Sequence, residues 1–184
     1  VIGADRETTI IDGDSSGSVV YFGSNAGMDT YFSGFTVQNG VGQAINSGTH
    51  NNHNCGGGIV IGYSASPLLT DLIVQNNTVD GAGGGIFVEG NNAQLRLSNS
   101  IIRNNTAGHA EPGGGIQIDG GSGSFIHNVE VHDNFAAGKG GGISSSSVLN
   151  ITNSVIHNNR CGWQGNGISA QMNMYNCVVT QNGW

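Results

Sequence analysis

The stretch Gly113-Gly114-Gly115-Ile116-Gln117-Ile118 decides the fold, because its relatives recur at 56–61, 83–88, 140–145 and 165–170. The isoleucine closing each glycine run stands at 59, 86, 116, 143 and 168, a period of 25 to 30 residues. A repeat in this range marks a solenoid, in which one unit buries its apolar face only by stacking on copies of itself.

Two further signals share the period. Phe35-Thr36-Val37-Gln38-Asn39 returns at 72–76, 100–104, 129–133, 154–158 and 177–181, each a short alternating run ending in a carboxamide or Asp. Between it and the glycine signal lies a third run: Leu68-Leu69, Leu95-Arg96-Leu97, Phe125-Ile126, Leu149-Asn150-Ile151 and Met172-Asn173-Met174. Three alternating runs per repeat, with no 3.6-residue period, predict an all-β parallel β-helix of three strands per coil and about six coils. Stacking places Ile59, Ile86, Ile116, Ile143 and Ile168 in one inward file. Val37, Val74, Ile102, Val131, Ile156 and Val179 form a second, and Phe32, Leu69, Leu97, Ile126, Ile151 and Met174 a third. Residues 1–33 carry β-rich runs at 8–11, 19–22 and 31–32 and read as an irregular first coil.

The corners are marked by Asn39, Asn76, Asn104, Asp133, Asn158 and Gln181, and before them by Asp71, Asn99, Asn128, Asn153 and Asn176. Asn and Asp tolerate the left-handed backbone of a sharp bend, and stacked amides can hydrogen-bond along the axis. The sequons at Asn76, Asn104 and Asn150 are therefore by-products of these ladders. The glycine runs lead into strands rather than helices, which excludes a phosphate cradle and leaves glycine as the residue of a tight bend.

Composition agrees with an ordered solenoid. Charged residues are 9% of the chain, with 33 Gly and 23 Asn in their place, but Ile, Val, Leu and Phe keep register with the glycines. A net charge of −7 with five Lys and Arg excludes a nucleic-acid backbone as partner. No apolar run is long enough for a membrane-spanning helix. Cys55, Cys161 and Cys177 fit neither a disulfide framework nor a zinc spacing, with Cys161 expected in a loop. A start at Val1 and an end at Trp184 lead to the expectation that 1–184 is one β-helix domain from a longer protein.

The Gly-Gly-Gly-Ile and Ile-x-Asn-Asn signals (102–105, 156–159) together resemble the right-handed parallel β-helix repeat of the pectate-lyase-like superfamily. Within it the chain looks most like bacterial surface repeats of the polymorphic outer-membrane protein type, and Thr9-Ile10-Ile11-Asp12-Gly13 resembles their entry coil. That resemblance implies an extracellular or cell-surface bacterial protein and leaves activity open, since the fold hosts enzymes, adhesins and stalks alike. The polygalacturonase-like motifs Asn-Thr-Asp, Asp-Asp, His-Gly and Arg-Ile-Lys are absent, and the calcium-binding Asp set of pectate lyases is matched only in part.

The register puts Glu89 and Asp119 on adjacent coils, where two carboxylates repel unless a cation bridges them or one keeps its proton. Calcium held by Glu89 and Asp119 is one expectation, and a solvated acidic pair the other. Phe87 and Gln117 lie outward on the same strands, and His50, His53, Asp80, His109, Glu111, Lys139 and Trp163 line the same edge. A ligand groove there would use Glu89, Asp119, Phe87, Gln117, Glu111 and Trp163, with Trp163 stacking on a sugar. A catalytic version would draw on Asp119 with His109 or Lys139 as base. His50-x-x-His53-x-Cys55 has metal-ligand residue types but no fourth ligand, so a surface loop is expected over 41–55.

On another face, Thr36, Ile73, Ile101, Glu130, Val155 and Val178 form an outward stripe suited to a covering segment or a second copy, and exposed terminal coils offer another route to self-association. Two function classes follow. The first is a module that binds or scaffolds polysaccharide or a cell-surface partner, without cofactor. The second is a lyase-like polysaccharide enzyme, calcium-assisted, working in a groove along the axis.

Overall fold

The computed structural model describes residues 1–45, 50, 53–90 and 92–183. No helix occurs among them, and every strand pair is parallel except Gln43–Ala44 with Asn54–Cys55. Equivalent residues of successive coils are register partners: Ile59↔Ile86↔Ile116↔Ile143↔Ile168. The second file holds likewise from Val37 through Val74, Ile102, Val131 and Ile156 to Val179, and the third from Phe32 to Met174. From Phe32 to Ile156 these files form one continuous core, with nearly every member inaccessible to solvent.

The division into sheets differs from one sheet per file. The second and third files share a single eleven-stranded sheet, which a middle coil enters twice, as Arg96–Ser98 and Ile101–Arg103. The split falls at Asn99, whose φ of 50° turns the chain sharply between the two segments. A six-stranded sheet carries the isoleucine file. A third sheet pairs Thr78–Val79, Thr106–Ala107, Phe135–Ala136 and Arg160–Cys161, so a middle coil has four short strands. Two-residue strands leave no periodicity to read, which is why sequence alone passes them over. Cys161 is consequently a buried strand residue packed with Val79, Ala107 and Ala136 rather than a loop residue.

The corners explain the composition. All eleven predicted bend residues have positive φ, from 50° at Asn99 to 60° at Asn39. The amide ladder at the second corner is built by the residue that follows, however: Asn77, Asn105, Asn134 and Asn159 are buried, and each Nδ2 donates to the next Oδ1 at 2.9 to 3.1 Å, ending on Asn182. Each of these Nδ2 groups also reaches a core-strand carbonyl, as Asn105 does to Val74 O at 3.0 Å. The glycine runs fit against this ladder. In 83–85, Gly83 has φ +66°, and a Cβ on Gly85 would stand 2.6 Å from Gly115 O and 2.9 Å from Asn105 Nδ2. The run is thus one bend residue followed by two that let adjoining coils touch.

The outward stripe is shorter than its sequence suggests. Thr36 is 4% and Ile73 2% exposed, because the N-terminal arm lies over the first coils and Thr36 Oγ1 donates to Arg6 O at 2.6 Å. Ile101 remains half-buried, while Val155 and Val178 are open.

Candidate acidic and imidazole site

Against the outward face of the six-stranded sheet stand the described residues of 41–55, the longest corner insertion in the repeat: 41–45, His50 and 53–55. Its ends pair as the antiparallel strands Gln43–Ala44 and Asn54–Cys55. Ile45 and Cys55 then pack on Val60, Ala82 and Phe87, forming a second apolar cluster outside the main core. The expected open groove is therefore roofed at this point, and Phe87 is wholly buried rather than an exposed outward residue. Gln117 and Glu89, also placed on the groove floor by the sequence, are 4% and 8% exposed.

His50 fastens this cover. Its Nδ1 lies 2.7 Å from Glu111 Oε2 and its Nε2 2.5 Å from Asp119 Oδ2, with the ring set edge-on to Phe87. Two carboxylate acceptors at one ring call for a donor at both nitrogens, which only the imidazolium supplies. Burial acts to lower the His50 pKa and is the largest single influence. The hydrogen bonds and charges of Asp119 and Glu111 together outweigh it, and the net shift is upward.

Glu89 stands beside Asp119 in register. Burial, and then the charge of Asp119, raise its pKa above the ordinary value. Gln117 Nε2 donates to Asp119 Oδ1 at 2.6 Å, while Gln117 Oε1 is buried with no hydrogen-bond partner among the described residues. The two carboxyl groups differ in their surroundings: Asp119 accepts from Gln117 Nε2 and faces His50, whereas burial pushes Glu89 toward its neutral form.

The rest of the predicted edge assembles alongside. His53 stacks on His109 with ring centres 4.9 Å apart, and its Nδ1 lies 3.5 Å from Asp80 Oδ2. His50 and His53 thus engage different carboxylates. Cys55 is buried with its pKa pushed up to about 12, chiefly by desolvation. The metal reading of His50, His53 and Cys55 does not survive this divergence, and no group of three or more His, Cys, Asp or Glu among the described residues is placed to hold a metal. Lys139 is exposed, and its carbonyl accepts Gly113 N–H at 3.0 Å. Trp163 is 69% exposed, on a loop tied to the preceding coils by Trp163 N–H to Gly138 O and Gly138 N–H to Glu111 O.

Sequence reasoning placed His50 on this edge but expected a surface loop. Its partners lie 61 and 69 residues further along the chain. The legible signal was the extra length of 41–55 in an otherwise regular repeat, with Ile45 as its apolar anchor.

A family model described as a right-handed β-helix region matches residues 33–183. No curated protein and no solved structure matches the chain.

Proposed function

The chain belongs to the right-handed β-helix family, and on that premise we propose that it is an extracellular bacterial module that binds an extended polysaccharide along its loop edge. The observation that carries this reading is the ribbon of exposed Trp163, Lys139 and His109 on successive coils of that edge, with half-buried His53 stacked on His109. An aromatic face, stacked imidazoles and a single cation, spaced by about 4.8 Å per coil, suit a chain of sugar rings more than a compact ligand. Glu111 lies behind the ribbon, and Glu89, Gln117 and Phe87 lie under the 41–55 cover, where they support the edge rather than meet a ligand.

A second reading, a lyase-like enzyme, is favoured by the inequality of Glu89 and Asp119. A carboxyl whose pKa is raised by burial, beside a second carboxyl held by a donor side chain, is an arrangement that acid–base chemistry uses, and His109 or Lys139 would serve as a nearby base. Calcium at Glu89 and Asp119 would belong to this reading.

Affinity electrophoresis over a panel of neutral and acidic polysaccharides tests the proposal. Retardation by at least one glycan is expected, weakened about tenfold or more in Trp163→Ala, as loss of a stacking platform requires. Release of unsaturated or reducing ends that disappears in Asp119→Ala would replace the module with the enzyme. Calcium-dependent melting lost in Glu89→Ala would establish the metal.

A further inference from the structure

The bend that splits the large sheet leaves a groove on the outside of the molecule, away from the loop edge. Its volume is about 500 Å³, and it runs between the bend residues Asn99, Asn128 and Asn153 and the outward file Ile101, Glu130 and Val155. Arg6 and Asp71 close one end.

Arg6 shows what this groove receives. Its Nη1 donates to the main-chain O of Asn99 at 2.9 Å, and its Nε lies 3.6 Å from Asp71 Oδ1. The seat is a bend carbonyl with a carboxylate beside it, a match for the flat, forked guanidinium. The bend carbonyl recurs further along, while the carboxylate comes from the outward file instead of the bend file. Asn128 and Asn153 have φ of 53° and 51°, against 50° at Asn99, so their carbonyls repeat the geometry of the occupied seat coil by coil. No hydrogen bond among the described residues reaches either carbonyl. Glu130, its side chain 45% exposed and its Oε1 bonded to His157 Nε2 at 2.9 Å, supplies a carboxylate there through its other oxygen, and Ile101 and Val155 supply apolar surface between the polar positions.

We propose that this groove docks an extended basic polypeptide segment in which arginine alternates with aliphatic residues, continuing the line that Arg6 begins. The net charge of −7 favours a cationic partner. The lining carries no aromatic ring on which a sugar would stack, so a polypeptide fits it better than a glycan. The proposal is independent of the glycan reading, which concerns a different face.

The test is fluorescence anisotropy of a labelled Arg-Val-Arg-Val-Arg-Val peptide titrated with the full chain. Binding is expected, weakened about tenfold or more by Glu130→Lys and by Val155→Asp, with the charge-matched Asp29→Lys within about twofold of the unaltered chain. Replacing arginine by lysine in the peptide should weaken binding, and replacing it by glutamate should abolish it. Circular dichroism and melting check each variant, with Glu130→Gln used if Val155→Asp unfolds. The proposal is overturned if Asp29→Lys weakens binding as much as Glu130→Lys, which would mean diffuse charge attraction. It is equally overturned if Glu130→Lys binds normally, or if an oligosaccharide occupies the groove while the peptide does not.

Discussion

Asn105 shows how much one side chain can carry in a solenoid. Its Oδ1 accepts from both the main-chain N–H and the Nδ2 of Asn77, and its own Nδ2 donates to Val74 O and Asn134 Oδ1. Removing it strands several buried polar groups at once, each costing about 1 to 3 kcal/mol, with some relief from water entry. Asn105→Ala is therefore expected to lower stability by about 3 kcal/mol or more in urea unfolding, whereas Asn104→Ala, at the exposed bend position, is expected to cost about 1 kcal/mol through its left-handed φ. Equal losses at the two positions would contradict the assignment of the ladder to the inner residue. The sequence announced a carboxamide ladder at each Asn-Asn corner. Which of the two asparagines turns inward depends on the direction of the Cα–Cβ bond after a left-handed residue, which composition and spacing do not contain.

At the scale of elements, the segment 41–55 is held by titratable groups as well as by Ile45. His50 faces Glu111 and Asp119, Glu89 adjoins Asp119, and Asp80 lies against the His53 end of the segment. The folded-state pKa of His50 is raised above 6.5, so its contribution is fully present below that value and is lost as pH climbs through the raised one. Glu89 is also raised, from 4.5, and as a buried carboxyl it likewise costs stability as pH rises and it ionises. Both trends have the same sign. Hydrogen-exchange protection of Asn54 and Cys55, taken relative to the intrinsic base-catalysed rate, should fall as pH rises above 6.5, and His50→Gln should flatten that dependence with low protection throughout. Protection that stays constant with pH in the unaltered chain would remove the imidazolium from this role. Melting at pH 7 should rise in Glu89→Gln, because the amide carries no charge to desolvate. None of this was legible from the segment itself. Its histidines read as surface residues or metal ligands until the fold brought Glu111 and Asp119 beneath His50.

For the whole molecule, each coil contacts mainly its two neighbours, so cooperativity passes along the axis and the end coils have less to hold them. In the last coil the members of the core files are uncovered: Met174 is 37% and Val179 48% exposed, where Ile151 and Ile156 are fully buried. Native-state hydrogen exchange should therefore rank the strands, with Met172–Tyr175 and Val178–Thr180 exchanging first and Ile86–Glu89 and Ile116–Asp119 last. Uniform protection along the axis would argue against coil-by-coil stability.

The repeat, the three inward files and the bend positions are all legible in the order of residues. Each rests on residue type recurring at a fixed interval, and stacking turns such an interval directly into contact. At the first corner Asn99 and Asn128, and Asn153 and Asn176, pair as expected. Packing in three dimensions settled that two files share one bent sheet, that an inner asparagine column forms the ladder at the second corner, that Arg6 seats against Asp71 and Asn99, and that His50 joins Glu111 and Asp119 over Phe87. These depend on groups brought together from separate coils or from the irregular 41–55 segment, where no period relates one partner to the other.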